Sequence, residues 1–294
     1  MEQMVLYLKL ADHHEERTVK RFLVAAMWVF ASCAGMATAV AQESRLDVVM
    51  QRGKLIVAVN DSSPPFAFVD KNNQLVGFEI DLAHTIARDL LGDPNKIEFM
   101  RVQSEGRFPS VLSGKADFAI AGTTVYTARA ARVAFTRPYM DSGLAILVRK
   151  DAHVTSLDAL NDPKFVMSGQ NNPQNAERAA RYVPKAKTVW FNSPDDILLA
   201  LKTGRATAAM TDVPVADYLV SKNPELTVLP DLVEKLGYSN NAIFMKPGDF
   251  TWWLFLDTAV NELRNGSNYA EYSDLYRKWF GHNPPPQRFY SSAK

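Results

Sequence analysis

Two separated stretches constrain the fold more than any other feature: GKADFAIAGTT at 114–124 and GRATAAMTDVP at 204–214. Each reads glycine, base, alanine, then a short apolar run that ends in small or polar residues. Each follows a helical stretch, VLS in one case and LALKT in the other. A chain that writes a helix–turn–strand unit twice has two similar surfaces to bury. Two related α/β units are therefore expected, with the echo marking equivalent strands.

The flanking pattern agrees. KLIVAVN (54–60) reads as a buried strand, and GFEIDLAHTIARDLL (77–91) places Phe78, Ile80, Leu82, Ile86 and Leu90 on one helical face. Gly92-Asp93-Pro94 stops that helix. IEFMRV is a strand, RFPSVLSG a short helix and ADFAIAG a third strand. The alternation restarts after about residue 150: SLDAL, NAERAARYV, SPDDILLALKTG and VPVADYLVSK read as helices, and KFVMSG, TVWF, ATAAMTD and LTVL as strands. Ser193 is the expected N-cap of its helix, with Pro194 in the first position. This predicts α/β lobes, each a mostly parallel sheet flanked by helices. NAIFMKP (241–247) is one more strand. FTWWLFLDTAVNELRNG (250–266) and YAEYSDLYRKWFG (269–281) are helices with no sheet of their own, so they are expected to return to the first unit. The chain then crosses between units near 139–143 and 237–241. Ligands of open α/β sheets bind beyond the carboxyl ends of strands. The echoed strands end at Gly122-Thr123-Thr124 and Thr211-Asp212. Either these ends share a cleft, or the echo reflects only how α/β units are built.

The first forty residues are different. Lys20-Arg21, the run FLVAAMWVFASCAGMATAVAQ and Ala39-Val40-Ala41 make the three parts of a secretory signal peptide, 1–41, cleaved before Gln42. An uncleaved anchor and a lipoprotein are the alternatives, although Phe30 makes FASC a poor lipobox. LADHHEERT is polar for a signal start, so Val19 is an alternative initiation site. Cys33, the single cysteine, would leave with the signal, and a mature chain free of disulfides suits a periplasmic protein. A net charge of +1 with no basic block argues against nucleic acid. There is no G-x-S-x-G, and His84, His153 and His282 are not paired at ligand spacing. Hydrolase chemistry, a metal and a cofactor are not expected.

PPFAFVDKNNQLVGFEIDLAHTIA, RFPSVLSGKADFAIAGTTVYTARAARVAFTRPY, GRATAAMTDVPVADYL and VNELRNGSNYAEYSDLYRKWFG, in this order, span nearly all of 45–282. In them the chain resembles the periplasmic amino-acid-binding proteins of ABC importers, solute-binding protein family 3. The resemblance implies a type II periplasmic-binding fold: lobe 1 from 45–139 plus 243–285, lobe 2 from 143–238, and two hinge crossings. It also implies a monomer that holds an amino acid and delivers it to an inner-membrane ABC permease.

A free amino acid presents a carboxylate, which suits a guanidinium with backbone and hydroxyl donors, and an ammonium, which suits a carboxylate. In the family, the arginine matching Arg129 clamps the carboxylate, supported by Thr124 and by the backbone at Gly122 and Arg129. Taken alone, Arg129 reads better as a solvated helix arginine than as a ligand contact. Thr127-Ala128 stands where the family has Pro-Glu. Asp212 matches the aspartate that takes the ammonium, and its other reading is an N-cap at Val213-Pro214. The loop SGQNNPQ (168–174) matches a ligand-touching loop through Gly169 and Gln170, with Gln170 where a threonine is usual. Ser63 and Ser104 occupy places where many members carry aromatic rings, which argues against a sandwiched apolar ligand. Arg107 matches an arginine that binders of acidic amino acids place on the side-chain carboxylate, whereas Asn60 stands where those binders carry a further arginine. Glutamate or aspartate is the first expectation, and a polar neutral amino acid the second. The resemblance also admits a cyclohexadienyl dehydratase, whose catalytic glutamate would fall in the second crossing. Tyr238-Ser239-Asn240-Asn241 there holds no acid, so a non-enzymatic protein is expected. A sensory binding protein is the third reading.

Overall fold

The computed structural model describes residues 43–103, 105–230, 236 and 239–285. The signal-like segment with Cys33 and Val19, together with Ser104 and Tyr238, lies outside the described residues.

In chain order the elements are α1 (Arg45–Arg52), β1 (Leu55–Val59), β2 (Ser62–Ser63), β3 (Ala67–Val69), β4 (Leu75–Val76), α2 (Phe78–Leu91), β5 (Ile97–Arg101), α3 (Arg107–Leu112), β6 (Phe118–Ala119), α4 (Thr127–Ala130) and β7 (Ala134–Met140). There follow β8 (Leu144–Arg149), α5 (Leu157–Leu160), β9 (Val166–Gln170), α6 (Pro173–Tyr182), β10 (Lys187–Phe191), α7 (Pro194–Lys202), β11 (Ala208–Asp212), α8 (Val213–Lys222), β12 (Leu226–Val228), β13 (Asn241–Met245), α9 (Phe250–Asn265) and α10 (Tyr269–Phe280).

The strands form two five-stranded sheets, β5-β1-β6-β13-β7 and β10-β9-β11-β8-β12, plus a small sheet β2-β3-β4. In each large sheet the first three strands pair in parallel, and the last two pairings are antiparallel. One strand of five therefore runs against the rest. In the first sheet that strand is β13, which arrives late in the chain; in the second it is β8, which arrives early. The two sheets have one plan, and the chain enters them at different points. The strand expected across ADFAIAG is only Phe118–Ala119, because the chain beyond turns away to reach the cavity described below.

The echo between 114–124 and 204–214 is matched hydrogen bond for hydrogen bond. Gly114 N–H donates to Val111 C=O and Gly204 N–H to Leu201 C=O; Ala116 donates to Ser110 and Ala206 to Ala200. Asp117 Oδ2 accepts from Ile56 N–H (2.7 Å), as Thr207 Oγ1 accepts from Val166 N–H (3.2 Å). Gly114 and Gly204 have φ of +76° and +73°. A Cβ on either would lie 2.7 Å from a guanidinium nitrogen, of Arg45 and Arg149 respectively. The left-handed backbone favours glycine in both halves, and a side chain there would also have to displace the end of the overlying arginine.

The cores follow the amphipathic patterns. Leu82 and Ile86 of α2 are buried with Val57, Phe118 and Ile120 of the first sheet. Trp252, Leu256, Val260 and Leu263 of α9 join the same cluster. Phe78 meets Tyr272, Tyr276 and Phe280 of α10 edge-on, with centroids 5.7, 5.8 and 5.1 Å apart. Burial of each such ring is worth about 1.5–3 kcal/mol, which holds the last helix on the first sheet. The second sheet has its own clusters, around Ile146, Val148, Met167 and Met210 on one side and Leu147, Leu201 and Ala209 on the other. Ser193 caps α7 by accepting from Asp195 N–H, with Pro194 first in the helix.

Candidate functional site

The second crossing touches both halves. Val125 N–H donates to Asn240 C=O and Ala242 N–H to Thr123 C=O, so the chain after β6 is stitched to the start of β13. Ser239 N–H donates to Ser142 C=O, and Val213 N–H donates to Gly143 C=O. The two crossings therefore lie side by side, next to the carboxyl end of β11. A cavity of about 100 Å³ opens there, walled by residues that follow both echoed strands.

Arg129 projects into this cavity from α4. Its Nη1 donates to Thr124 C=O (2.9 Å), and its guanidinium lies over the Tyr126 ring at 4.9 Å. Burial lowers its pKa, so an anionic partner would be favoured there. Thr124 also lines the cavity, with its hydroxyl toward Asn241 Oδ1 at 3.4 Å. The backbone amides expected to assist are already used. Gly122 N–H donates to Glu79 Oε1 (2.7 Å), and Arg129 N–H donates to Tyr126 C=O (2.9 Å) within its own turn. Gly122 still lines the cavity.

Asp212 lines the cavity from the end of β11. It occupies the N-cap position of α8, yet its side chain makes no capping bond. Its Oδ1 instead accepts from Ser239 Oγ at 2.7 Å. Burial raises its pKa, and the Ser239 hydroxyl partly offsets this.

Arg107 is 3% exposed and lines the same cavity. Nη1 donates to Ala121 C=O (2.6 Å), while Nε is buried with no partner. Burial, and then the nearby charge of Arg129, push its pKa down to about 10. Among the described residues no carboxylate forms a salt bridge with it.

Glu79 is the group that sequence reasoning missed. It is 1% exposed, under the floor of the site, and accepts from Gly122 N–H and the Tyr139 hydroxyl. Its Oε2 has no partner. Burial pushes its pKa up to about 7, against the hydrogen bonds from Tyr139 and Gly122 and the charge of Arg107. An acid in the first turn of a helix ordinarily reads as a solvated, dipole-favoured residue. Its neighbours Phe78 and Ile80, both buried, were the available signal.

The other expected residues divide. Asn60, Ser63 and Gln170 line the cavity. Asn60 Oδ1 accepts from Ser62 N–H (3.2 Å) and Oγ (3.0 Å), so this side chain also shapes the turn before Ser63. Gly169 does not line it; a Cβ there would lie 3.2 Å from the Trp190 ring and 3.3 Å from Met210 C=O, so it serves close strand packing. Ser104 falls outside the described residues. Two rings, Phe66 and Tyr126, line it as well. Phe66 is held in the core against Phe280 (5.9 Å), and Tyr126 is covered by guanidinium groups. Both sit in stretches that carry the resemblance, Phe66 between β2 and β3 and Tyr126 in the turn before α4, but nothing local in either shows that its side chain reaches the cavity. Among the described residues no group of three or more His, Cys, Asp or Glu could hold a metal, and no helix is long and apolar enough to cross a membrane.

Two mixed α/β sheets joined by two adjacent crossings, with a cavity at their strand ends, define a two-lobed binding protein of the type II periplasmic kind. The chain belongs to the bacterial extracellular solute-binding proteins, family 3, whose sequence model matches residues 55–282. It is similar to the ABC transporter glutamine-binding protein GlnH of Bacillus subtilis (strain 168), 27% identical over 255 residues covering 85% of this chain and 89% of that protein. It is 31% identical to the glutamine-binding protein of Geobacillus stearothermophilus over 196 residues, 66% of this chain and 74% of that one. Among solved structures it resembles AncCDT-1, described as an ancestral amino acid-binding protein and a precursor of cyclohexadienyl dehydratase. The TM-score is 0.72 at 32% identity, covering 81% of this chain and all of that one. The expectation of a non-enzymatic protein agrees with these relatives, which are named for binding and transport.

Proposed function

We propose that the protein captures an amino acid outside the cytoplasm and hands it to an inner-membrane ABC permease. The ligand is held between lobe 1 (45–139 plus 243–285) and lobe 2 (143–238). One observation carries this reading: Arg129, following β6, and Asp212, ending β11, line a single cavity from different sheets. A zwitterion satisfies both at once, with its carboxylate on the guanidinium and Thr124 Oγ1 and its ammonium on Asp212. Only a closed cleft offers both contacts, so the ligand shifts the population toward closure. The segment 1–41 acts as a cleaved export signal, and the mature protein is a periplasmic monomer.

The preferred ligand class is a dicarboxylic amino acid. The charged groups at the cavity are Arg107 and Arg129 against Asp212, with Glu79 titrating near neutrality below them. Arg107 is buried with no salt bridge among the described residues, and the charges of Glu105 and Glu79, neither bonded to it, only partly offset that burial; a second ligand carboxylate on the guanidinium would offset it directly. Glutamine is the second reading. It is favoured by the names of the two relatives above and by the side-chain amides of Gln170, Asn172 and Asn175 at the cavity.

Thermal unfolding of the mature protein against the twenty amino acids tests the proposal, because a ligand of the native state raises the midpoint. The expected result is a concentration-dependent rise with glutamate or aspartate. A rise with glutamine alone selects the second reading, and no rise with any of the twenty refutes both.

A further inference from the structure

The cleft is bridged by a contact that belongs to neither charge of the proposed ligand. Tyr126 follows β6 of the first sheet, and its ring lines the cavity. Arg178 lies on α6, which follows β9 of the second sheet, and it is not among the lining residues. Arg178 Nη2 donates to the Tyr126 hydroxyl at 2.9 Å, and its guanidinium lies over the same ring at 5.4 Å. The Arg129 guanidinium lies over that ring as well, at 4.9 Å. One tyrosine therefore holds two arginines, one from each half.

We propose that Arg178 is a positioning residue for ligand capture: through Tyr126 it latches the two halves together and fixes the ring against which Arg129 is aimed. This rests on the reading of the cavity as a ligand cleft. Three features support it. A guanidinium bonded to a hydroxyl and stacked on its ring is held in direction as well as distance. The bond joins residues of different sheets, so opening the cleft breaks it and closing remakes it. Finally, the Arg178 charge reaches both Arg129 and Asp212: it adds a little to the lowering that burial imposes on Arg129 and slightly opposes the rise that burial imposes on Asp212. Its position is thus felt by both candidate ligand contacts although it lines no part of the cavity. Bringing Arg178 beside Arg129 also sets two like charges close together, and a carboxylate bound to Arg129 relieves that repulsion. Latch and ligand then favour one another.

The test compares wild type with Arg178→Ala, Arg178→Lys, Tyr126→Phe and the double variant Arg178→Ala/Tyr126→Phe, with two measurements. The first is calorimetric affinity for the amino acid that gives the largest thermal shift. Loss of a charge-assisted hydrogen bond predicts about a ten-fold weaker Kd and a faster off-rate for Arg178→Ala, with an unaltered ranking of ligands. Tyr126→Phe should lose less, Arg178→Lys should recover part of the loss, and the double variant should be no weaker than Arg178→Ala. The second measurement needs no ligand: the distance distribution between spin labels on one exposed cysteine introduced in each half. It should widen in Arg178→Ala and Tyr126→Phe, with unfolding midpoints of the ligand-free proteins unchanged. Losses that add in the double variant, or distance distributions equal to wild type, overturn the latch. If no amino acid binds the wild type, the function proposed above has failed, and the ligand-free distances still decide whether the latch exists.

Discussion

Arg129 and Asp212 face the same cavity from two different sheets, and among the described residues neither is in a salt bridge. The second crossing links them. Ser239 bonds to Asp212, and Asn241 accepts from Thr124, whose carbonyl in turn holds the Arg129 guanidinium. Opposite charges are thus held apart at the hinge, where a small zwitterion could join them.

Arg107 should decide which side chain is accepted. Arg107→Met keeps much of the buried volume and removes the charge. Titration calorimetry should show glutamate affinity falling roughly 30-fold or more, the scale for losing one partner of a buried charge pair, with glutamine affected far less. Equal losses for the two ligands would place Arg107 in the scaffold.

Asp212→Asn should preserve a hydrogen bond to Ser239 while removing the negative charge. Affinity for an amino acid should fall by at least about ten-fold, whereas a dicarboxylic acid that lacks the amine should bind no worse than it does to wild type. Titration of both variants against both ligands checks this.

Glu79 predicts a pH dependence of folding. Its carboxyl titrates near 7 in the folded protein, against an ordinary value of 4.5. The folded state therefore holds the proton more tightly. Glu79 contributes stability that is fully present below about pH 4.5 and is lost as pH rises to about 7. The full window is worth on the order of 3 kcal/mol. Denaturant unfolding should show the stability of wild type relative to Glu79→Gln declining from pH 4.5 to 7 and levelling above. A flat or rising difference would contradict the buried, partly unbonded carboxyl.

Gly114→Ala and Gly204→Ala should be equally damaging, by about 1–2 kcal/mol each in denaturant unfolding, since each combines a left-handed backbone with an arginine at contact distance. The two sites lie in different sheets, so their effects should add. A neutral substitution at either would show that the guanidinium moves away and that the backbone relaxes out of the left-handed region at little cost.

Much of this was legible from sequence because it depends on local pattern. Ser193 and Pro194 announce α7, the apolar spacing from Phe78 to Leu90 announces α2, and the glycine–base–alanine echo announces equivalent turns. Thr124 follows one echoed strand and Asp212 ends the other, and the family resemblance, rather than the echo, points to these two and to Arg129 as the residues facing the cavity. What stayed hidden is set by tertiary contact. Glu79 looks like a solvated helix acid until Tyr139 and Gly122 close over it. The Gly122 and Arg129 amides look available until their acceptors are seen. The local sequence around Tyr126 does not show its partner, because Arg178 is brought to it on α6 from the other half. The hairpin of β3 and β4 leaves no periodic signal, its strands being only three and two residues long.

The central claim is that one ligand bridges Arg129 and Asp212. Its most direct test is titration calorimetry of the best amino acid against wild type, Arg129→Ala, Asp212→Ala and the double variant. The account predicts that each single change abolishes most of the affinity and that the double change costs little more, because a zwitterion released at one end cannot hold the cleft closed by the other. Affinity that survives Arg129→Ala unchanged would contradict it, since the carboxylate would then be held elsewhere.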